Sequence, residues 1–380
     1  METRNYRPFL LAALVLFPVL ATTLFLFRPD HARYEIESIW AVGAANSVAM
    51  VINEKGWVGG QITFIDGMEA PIIWTSSEGV RTIDLPTADS ARLMTIDESG
   101  RAAGCRFFGY TDRPIETEAL AWDVDSSLTS LKIDSASESR AFGILESGAV
   151  AGSIDYATGR VFGVWNSLGE WIPDKETIQD ATGVNIRKAN RRGHRVGVIS
   201  GEETMVAFLW PNGKEIHSLG VLQGNYSHAL DVNDNLQVVG LTESASHSQV
   251  AFLWEEGRMS PLETPTDGTS SRAYAINNQG QVVGSVFHPI DSVFGITQVA
   301  YRKILSKDHK TYHDNEYAVL WEDGKLHYLN ELISRDSGWD LICAEDINDA
   351  GQIVGWGLYR GEERGFVMTP VGKAEKVEEP

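Results

Sequence analysis

The sequence predicts an all-β fold: a seven-bladed β-propeller with four-stranded blades, the last blade closed by the N-terminal strand, and one hydrophobic anchor helix in front. Three observations predict it. One short hairpin pattern recurs seven times along the 380 residues. A strand-like segment follows every hairpin and ends in Trp in six of the copies. The first strand-like segment of the chain has the character of a fourth strand, and the last copy lacks one.

The hairpin core is an apolar residue, a turn, a Gly or its stand-in, and a second Gly four positions on. The copies run from Ile52 to Gly60, Ile96 to Gly104, Ile144 to Gly152, Ala189 to Gly197, Val232 to Gly240, Ile276 to Gly284 and Ile347 to Gly355. Their second glycines are spaced 44, 48, 45, 43, 44 and 71 residues apart. Asn or Asp near Gly tolerates the positive φ of tight hairpin turns, and flanking apolar residues read as strands. The second Gly suits a strand position that another backbone approaches closely. Leu236 stands at the first Gly position of the fifth copy, so that turn is expected to differ slightly.

The third strands end at Trp74, Trp122, Trp165, Trp210, Trp254 and Trp321, with Met368 in the seventh copy. A turn and a fourth strand follow, as in Lys214–Leu219 and Lys325–Leu329. Four strands in a unit of about 44 residues suit a propeller blade. Tyr34–Ile39 supplies the strand that copy seven lacks, and Ile39 to Ile52 is 13 residues, as is Leu219 to Val232. Donating that strand to the last blade leaves no open sheet edge. Once-per-blade tryptophans are expected to pack between blades, as large aromatic side chains do.

The pattern Ala273 to Gly284, together with Ala251-Phe252-Leu253-Trp254-Glu255-Glu256-Gly257, resembles the extracellular HAF-repeat proteins of bacteria. The likeness covers roughly residues 34 to 370, and it implies an exported, β-rich repeat protein. The His that gives the family its name is absent here, with Val206 and Val250 in its place. The resemblance carries over no catalytic residue.

Phe9 to Phe27 holds no charge and is long enough to cross a bilayer core at ~1.5 Å per residue. Cleavage after Ala21 would leave Thr22–Phe27 exposed, so an uncleaved signal anchor is expected, with the body membrane-anchored and extracytoplasmic. A cleaved signal would instead give a secreted protein. The expected domains are an anchor at 1–30, a propeller at 31–371 with an insertion at 285–316 in blade six, and a disordered acidic tail at 372–380. The net charge of −20, from 52 acidic and 32 basic residues, argues against a nucleic-acid partner, whose phosphates demand cations. Cys105 and Cys343 fall in different copies and are not expected to pair. No P-loop, nucleophile elbow, cofactor motif or metal motif is present, and the propeller is expected to be monomeric.

Several side chains are candidates for more than packing. Arg92, Arg140, His228 and Arg272 each lie four residues before the apolar residue that opens the core. In a propeller they would share one level beside the central channel, and a convergent ring of cations attracts an anion. Asp134, Glu138, Glu263 and Asp267 are acids near enough in sequence to neutralise them. Asp231-x-Asn233-x-Asn235 and Asp346-x-Asn348 resemble the start of a calcium loop, but they lack its Gly and closing Glu, and turn chemistry explains them better. The insertion carries a helix-spaced apolar set and a polar tail with His309, His313 and Asp314, and strand order puts it on the face of the basic residues. The expected function is a binding or scaffold module for a protein or glycan partner. The alternative is a hydrolase or lyase acting on an anionic sugar or phosphoester at the channel mouth.

Overall fold

The computed structural model describes residues 32–83, 85, 90–108, 116–123, 127–174, 183–212, 214–244, 249–265, 269–287 and 316–372. The expected anchor, nearly all of the insertion and residues 373–380 lie outside the described residues. Seven four-stranded antiparallel sheets form the blades. Blade one holds β2 (Ala44–Ile52), β3 (Val58–Phe64), β4 (Glu69–Thr75) and β5 (Gly79–Thr82). Blade two holds β6 (Ser90–Ile96), β7 (Ala102–Phe108), β8 (Glu116–Trp122) and β9 (Leu128–Ser130). Blade three holds β10 (Glu138–Ile144), β11 (Val150–Tyr156), β12 (Gly159–Trp165) and β13 (Trp171–Pro173). Blade four holds β14 (Val184–Ala189), β15 (Arg195–Ser200), β16 (Met205–Trp210) and β17 (His217–Gly220). Blade five holds β18 (Ser227–Val232), β19 (Val238–Glu243), β20 (Gln249–Glu255) and β21 (Arg258–Pro261). Blade six holds β22 (Ser270–Ile276), β23 (Val282–Phe287), β24 (Glu316–Glu322) and β25 (Lys325–Tyr328). Blade seven takes β26 (Trp339–Ile347), β27 (Ile353–Tyr359) and β28 (Glu362–Pro370) from the end of the chain and β1 (Tyr34–Ile39) from its beginning.

The expected closure is therefore present. β1 runs antiparallel to β28, from Tyr34 opposite Pro370 to Ile39 opposite Gly365. The chain enters the ring where Arg33 pairs with Glu322 at 2.6 Å, and Gln281 Nε2 donates to the other oxygen of Glu322 at 2.6 Å. Glu322 ends a third strand and Gln281 belongs to a hairpin between first and second strands. Both turns lie on one face, here the hairpin face. The opposite face, where first strands begin, is the strand-start face.

Seven apolar clusters fill the seven gaps between blades. In one, Val51 and Ile73 of blade one meet Leu93, Ile96, Leu120 and Trp122 of blade two. Trp74, Trp165, Trp210 and Trp321 occupy equivalent places, as does Met368, and Trp254 is only partly buried. The tryptophan column is thus inter-blade packing. Burying such a side chain contributes about 2–3 kcal/mol, repeated around the ring.

The second glycine of each core is required by a backbone contact. A Cβ on Gly60, Gly104, Gly240 or Gly284 would overlap the carbonyl oxygen of Val48, Arg92, His228 or Arg272, the residue four before the core. The first glycine adopts a left-handed conformation, with φ 78° at Gly280. Leu236 corrects the expectation for copy five: its φ is 63°, and its N–H donates to Asn233 as that of Gly280 donates to Asn277. The turn is kept despite the steric cost of this conformation, and Leu236 packs beside Val232 and Val238.

Every first strand carries a β-bulge at the same place, two residues before the core. A bulge bends the strand and re-aims a side chain. The bulged positions are Met50, Met94, Phe142, Arg187, Leu230, Tyr274 and Glu345. Their side chains do not all go the same way: Phe142 is buried in the gap between blades three and four and Met50 packs against the gap between blades one and two, whereas Arg187 is exposed.

Candidate functional site: the two mouths of the channel

At the hairpin face the channel widens into a cavity of about 630 Å³, lined by the ends of first strands and by their turns. Eight carboxylate residues line it, among them Glu54, Glu98, Asp234 and Asp349, against the cations Lys188 and Arg191. Most of these groups already have work. In five of the seven copies, all but the second with Asp97 and the third with Leu145, an Asn follows the core residue and accepts N–H groups of its own turn with Oδ1, as Asn277 does from Gln279 at 3.1 Å and Gln281 at 2.9 Å. Its Nδ2 then reaches the next blade. Asn233 donates to the Asn277 carbonyl at 3.0 Å, Asn277 to Asn348 at 3.0 Å, Asn348 to Asn53 at 2.9 Å and Asn53 to Asp97 at 2.7 Å. A second tier runs beside the first: the N–H groups of Glu54, Asn278 and Asp349 donate to Glu98, Asp349 and Glu54. The segments that resemble a calcium loop in sequence are parts of this inter-blade latch. Among the described residues no three metal-ligating side chains come together.

Deeper in this cavity Lys188 of blade four reaches Asp231 of blade five at 3.1 Å and Asp346 of blade seven at 3.4 Å. Asp231 also accepts the N–H of Ile276, and Asp346 that of Ile52, so each acid ties its own blade to the next. Burial by itself disfavours the Lys188 ammonium, but the two carboxylates outweigh it and the net shift is upward. Burial raises Asp231, with Lys188 opposing and Asp346 adding to the rise.

The strand-start mouth is built differently. Arg92, Arg140, His228 and Arg272 stand at equivalent register positions, each beside the pair that contains the second glycine. The structure brings these residues of four blades to one level. Their environments differ. Arg140 pairs with Glu138 at 2.8 Å. Arg272 donates to Gln249 at 2.7 Å and lies 4.5 Å over the Phe287 ring. His228 stacks on Tyr226 with ring centroids 4.7 Å apart, and burial, then Arg187, lowers its pKa. Its Nε2 is buried with no hydrogen-bond partner among the described residues. Arg92 is exposed. Of the acids considered as neutralisers, only Glu138 pairs with this set among the described residues, and Glu263 instead caps the N–H of Leu326 at 2.6 Å.

Two channel residues escaped the sequence reading. Arg187 and Glu345 sit at the bulged position, two residues nearer the core than the basic level. A search at fixed spacing passes over them, and only the recurring bulge turns them into the channel. Arg187 is exposed, and like Arg92 it makes no ion pair among the described residues. The Glu345 carboxyl lies 3.4 Å from Cys343 Sγ. Burial raises its pKa, while hydrogen bonds from Cys343 and Trp356 and the charges of Arg187 and Arg92 oppose that rise. Burial, aided by Glu345, pushes the Cys343 thiol well up, so it is no thiolate nucleophile. Cys105 is also free and buried.

The family described as Protein of unknown function (DUF3466) matches residues 212–372, less than half of the chain. No curated protein matches. Among solved structures, the chain is similar to the β-propeller domain of the Trilobed protease from Pyrococcus furiosus, described as an open velcro topology. The identity is 11%, with 89% of this chain and 99% of that one covered, at a TM-score of 0.54. It is also similar to an oligogalacturonate lyase from Vibrio parahaemolyticus, at 9% identity, 91% and 98% coverage and a TM-score of 0.51. At such identities the likeness shows the propeller fold alone. Unlike an open ring, this one is closed by β1 on β28.

Proposed function

We propose that this chain is an exported, membrane-anchored propeller that binds an anionic protein or glycan partner at its strand-start mouth. One observation carries the reading. In a chain of net charge −20, first strands of five blades bring Arg92, Arg140, Arg187, His228 and Arg272 to one mouth, and Arg92 and Arg187 stay exposed without an ion pair among the described residues. Rings of one sign in a cleft focus field and raise the local concentration of oppositely charged ligands. Most polar groups of the other mouth are engaged in the latch or with Lys188. The resemblance to HAF repeats and the uncharged run from Phe9 to Phe27 support export and anchoring. Among the described residues no helix is long and apolar enough to cross a membrane. Arg33 meets the ring at the hairpin face, so an anchor just upstream would hold that face toward the bilayer and turn the basic mouth outward.

The test is a thermal-shift series on the full chain in detergent, with acidic and neutral oligosaccharides, inorganic phosphate and acidic peptides. A ligand at about 100 times its Kd adds roughly 2.7 kcal/mol to stability. The expected result is stabilisation by acidic ligands only, lost in the double variant Arg92→Gln and Arg187→Gln. Stabilisation that survives in that variant would overturn the assignment of the mouth.

A further inference from the structure

We propose that Arg272 and Gln249 anchor the ligand of the strand-start mouth, as a fixed set of donors that takes the carboxylate and a neighbouring hydroxyl oxygen of an acidic sugar. The inference rests on the reading above that this mouth binds an anion. It adds the residues that orient the ligand and the class of sugar they recognise.

The basic residues of the mouth are not held alike. Arg140 spends its guanidinium on Glu138 at 2.8 Å. Arg92 and Arg187 are exposed, and a long free side chain loses rotamer freedom when a ligand fixes it. Arg272 is fixed beforehand. Its Nε donates to Gln249 Oε1 at 2.7 Å, across the gap from blade six to blade five. Its guanidinium lies 4.5 Å over the Phe287 ring. Tyr274, two residues further along β22, hydrogen-bonds it as well. Gln249 is held in turn, because its backbone N–H donates to Ser270 Oγ at 3.3 Å.

These contacts decide which atoms are left for a ligand. An arginine only donates, so the Gln249 oxygen must face it and the amide NH2 points elsewhere. That NH2 meets no acceptor among the described residues, and Arg272 forms no ion pair among them. Gln249 and Tyr274 take up only part of the donor capacity of the guanidinium. The remaining N–H groups belong to a planar fork that matches the two oxygens of a carboxylate. The amide beside them supplies a neutral donor for a hydroxyl oxygen. Blade five also brings His228 to this level, stacked on Tyr226 with ring centroids 4.7 Å apart, as an apolar flank for a sugar ring. A fixed charged donor, a fixed neutral donor and aromatic rings together describe a site for a polar ring that carries a carboxylate. A bare acidic side chain would use the fork alone. Arg92 and Arg187 attract the anion into the mouth, and Arg272 orients it.

The test is isothermal titration of the full chain in detergent with sodium glucuronate, glucose and N-acetylaspartate. Parent protein is expected to bind glucuronate more tightly than either of the others. Arg272→Lys keeps the charge but loses the fork, and should bind glucuronate about 10- to 100-fold more weakly. Gln249→Glu still accepts from Arg272 Nε but sets a resident carboxylate in place of the amide donor, and should abolish measurable binding. Thermal melting close to that of parent shows that each variant is folded. A merely structural role for Arg272 would lower the melting temperature and leave the affinity unchanged. If both variants bind glucuronate as parent does, while the Arg92→Gln, Arg187→Gln variant does not, the inference fails and the binding mouth stands. If N-acetylaspartate binds parent as tightly as glucuronate, the ligand is the carboxylate of an acidic peptide and the sugar assignment is overturned. Equal binding of glucose overturns the carboxylate, and no binding of any probe to parent overturns the acidic-sugar anchor. If the Arg92→Gln, Arg187→Gln variant binds as parent does, the mouth itself is wrong.

Discussion

The two ends of the channel use the same repeat in opposite ways. At the hairpin end, polar side chains are spent on the ring: Asn233, Asn277 and Asn348 each close their own turn and then grip the next blade. At the strand-start end, the residues that face the channel change from copy to copy, from Val48 through Arg92 to Cys343. The repeated end is where most blades use the same Asn for the same hydrogen bonds, Asp97 of blade two and Leu145 of blade three standing in its place. The variable end is where the fold imposes no such demand, so charge can collect there without weakening the ring. A buried polar group that lacks its partner costs about 1–3 kcal/mol, whereas an exposed one costs almost nothing. Stability should therefore be concentrated at one mouth and recognition at the other.

The contrast can be broken by substitution. The largest effect is expected from Gly284→Ala, whose Cβ would overlap the Arg272 carbonyl oxygen. Separating the two backbones should lower stability by about 3 kcal/mol, read by urea unfolding. Lys188→Met should follow at about 2–3 kcal/mol, because it leaves Asp231 and Asp346 facing each other without a counter-ion. Lys188 is raised in the folded protein, so its own contribution is complete at neutral pH and fades only in strong alkali. Asp231 is raised as well, and a raised acid destabilises more as pH climbs through the carboxylate range. The loss in Lys188→Met should thus be larger at pH 8 than at pH 4. A loss independent of pH would mean that the two acids are not the unpaired groups. Asn277→Ala removes the one acceptor of two turn N–H groups and the bridge to Asn348, and about 2 kcal/mol is expected. The smallest stability effect, within about 0.5 kcal/mol, is expected for Arg92→Gln with Arg187→Gln, even though that pair should abolish anion binding. A large destabilisation there would show that the strand-start mouth also holds the ring together.

Much of this was legible in the sequence. The cores from Ile276 to Gly284 and from Ile347 to Gly355 reveal hairpins because turn chemistry is local. The segment from Tyr34 to Ile39 reveals the closure because its distance to Ile52 repeats the spacing inside the ring. The basic level was legible for the same reason: Arg92, Arg140, His228 and Arg272 keep one offset from the core. Leu236 shows where local rules fall short. Its side chain argues against a left-handed turn, but the hydrogen bonds of the ring and its packing beside Val232 and Val238 hold the backbone there.

The sequence by itself determined the period, the number of blades, the strand order and the level of the first basic residues, since each depends on contacts within a unit of about 44 residues. Only the tertiary structure decided that Lys188 of blade four would span to Asp231 of blade five and to Asp346 of blade seven. Such partners lie on strands far apart in the chain. Ring closure brings those strands together, and the bulge in each first strand selects which side chains face one another.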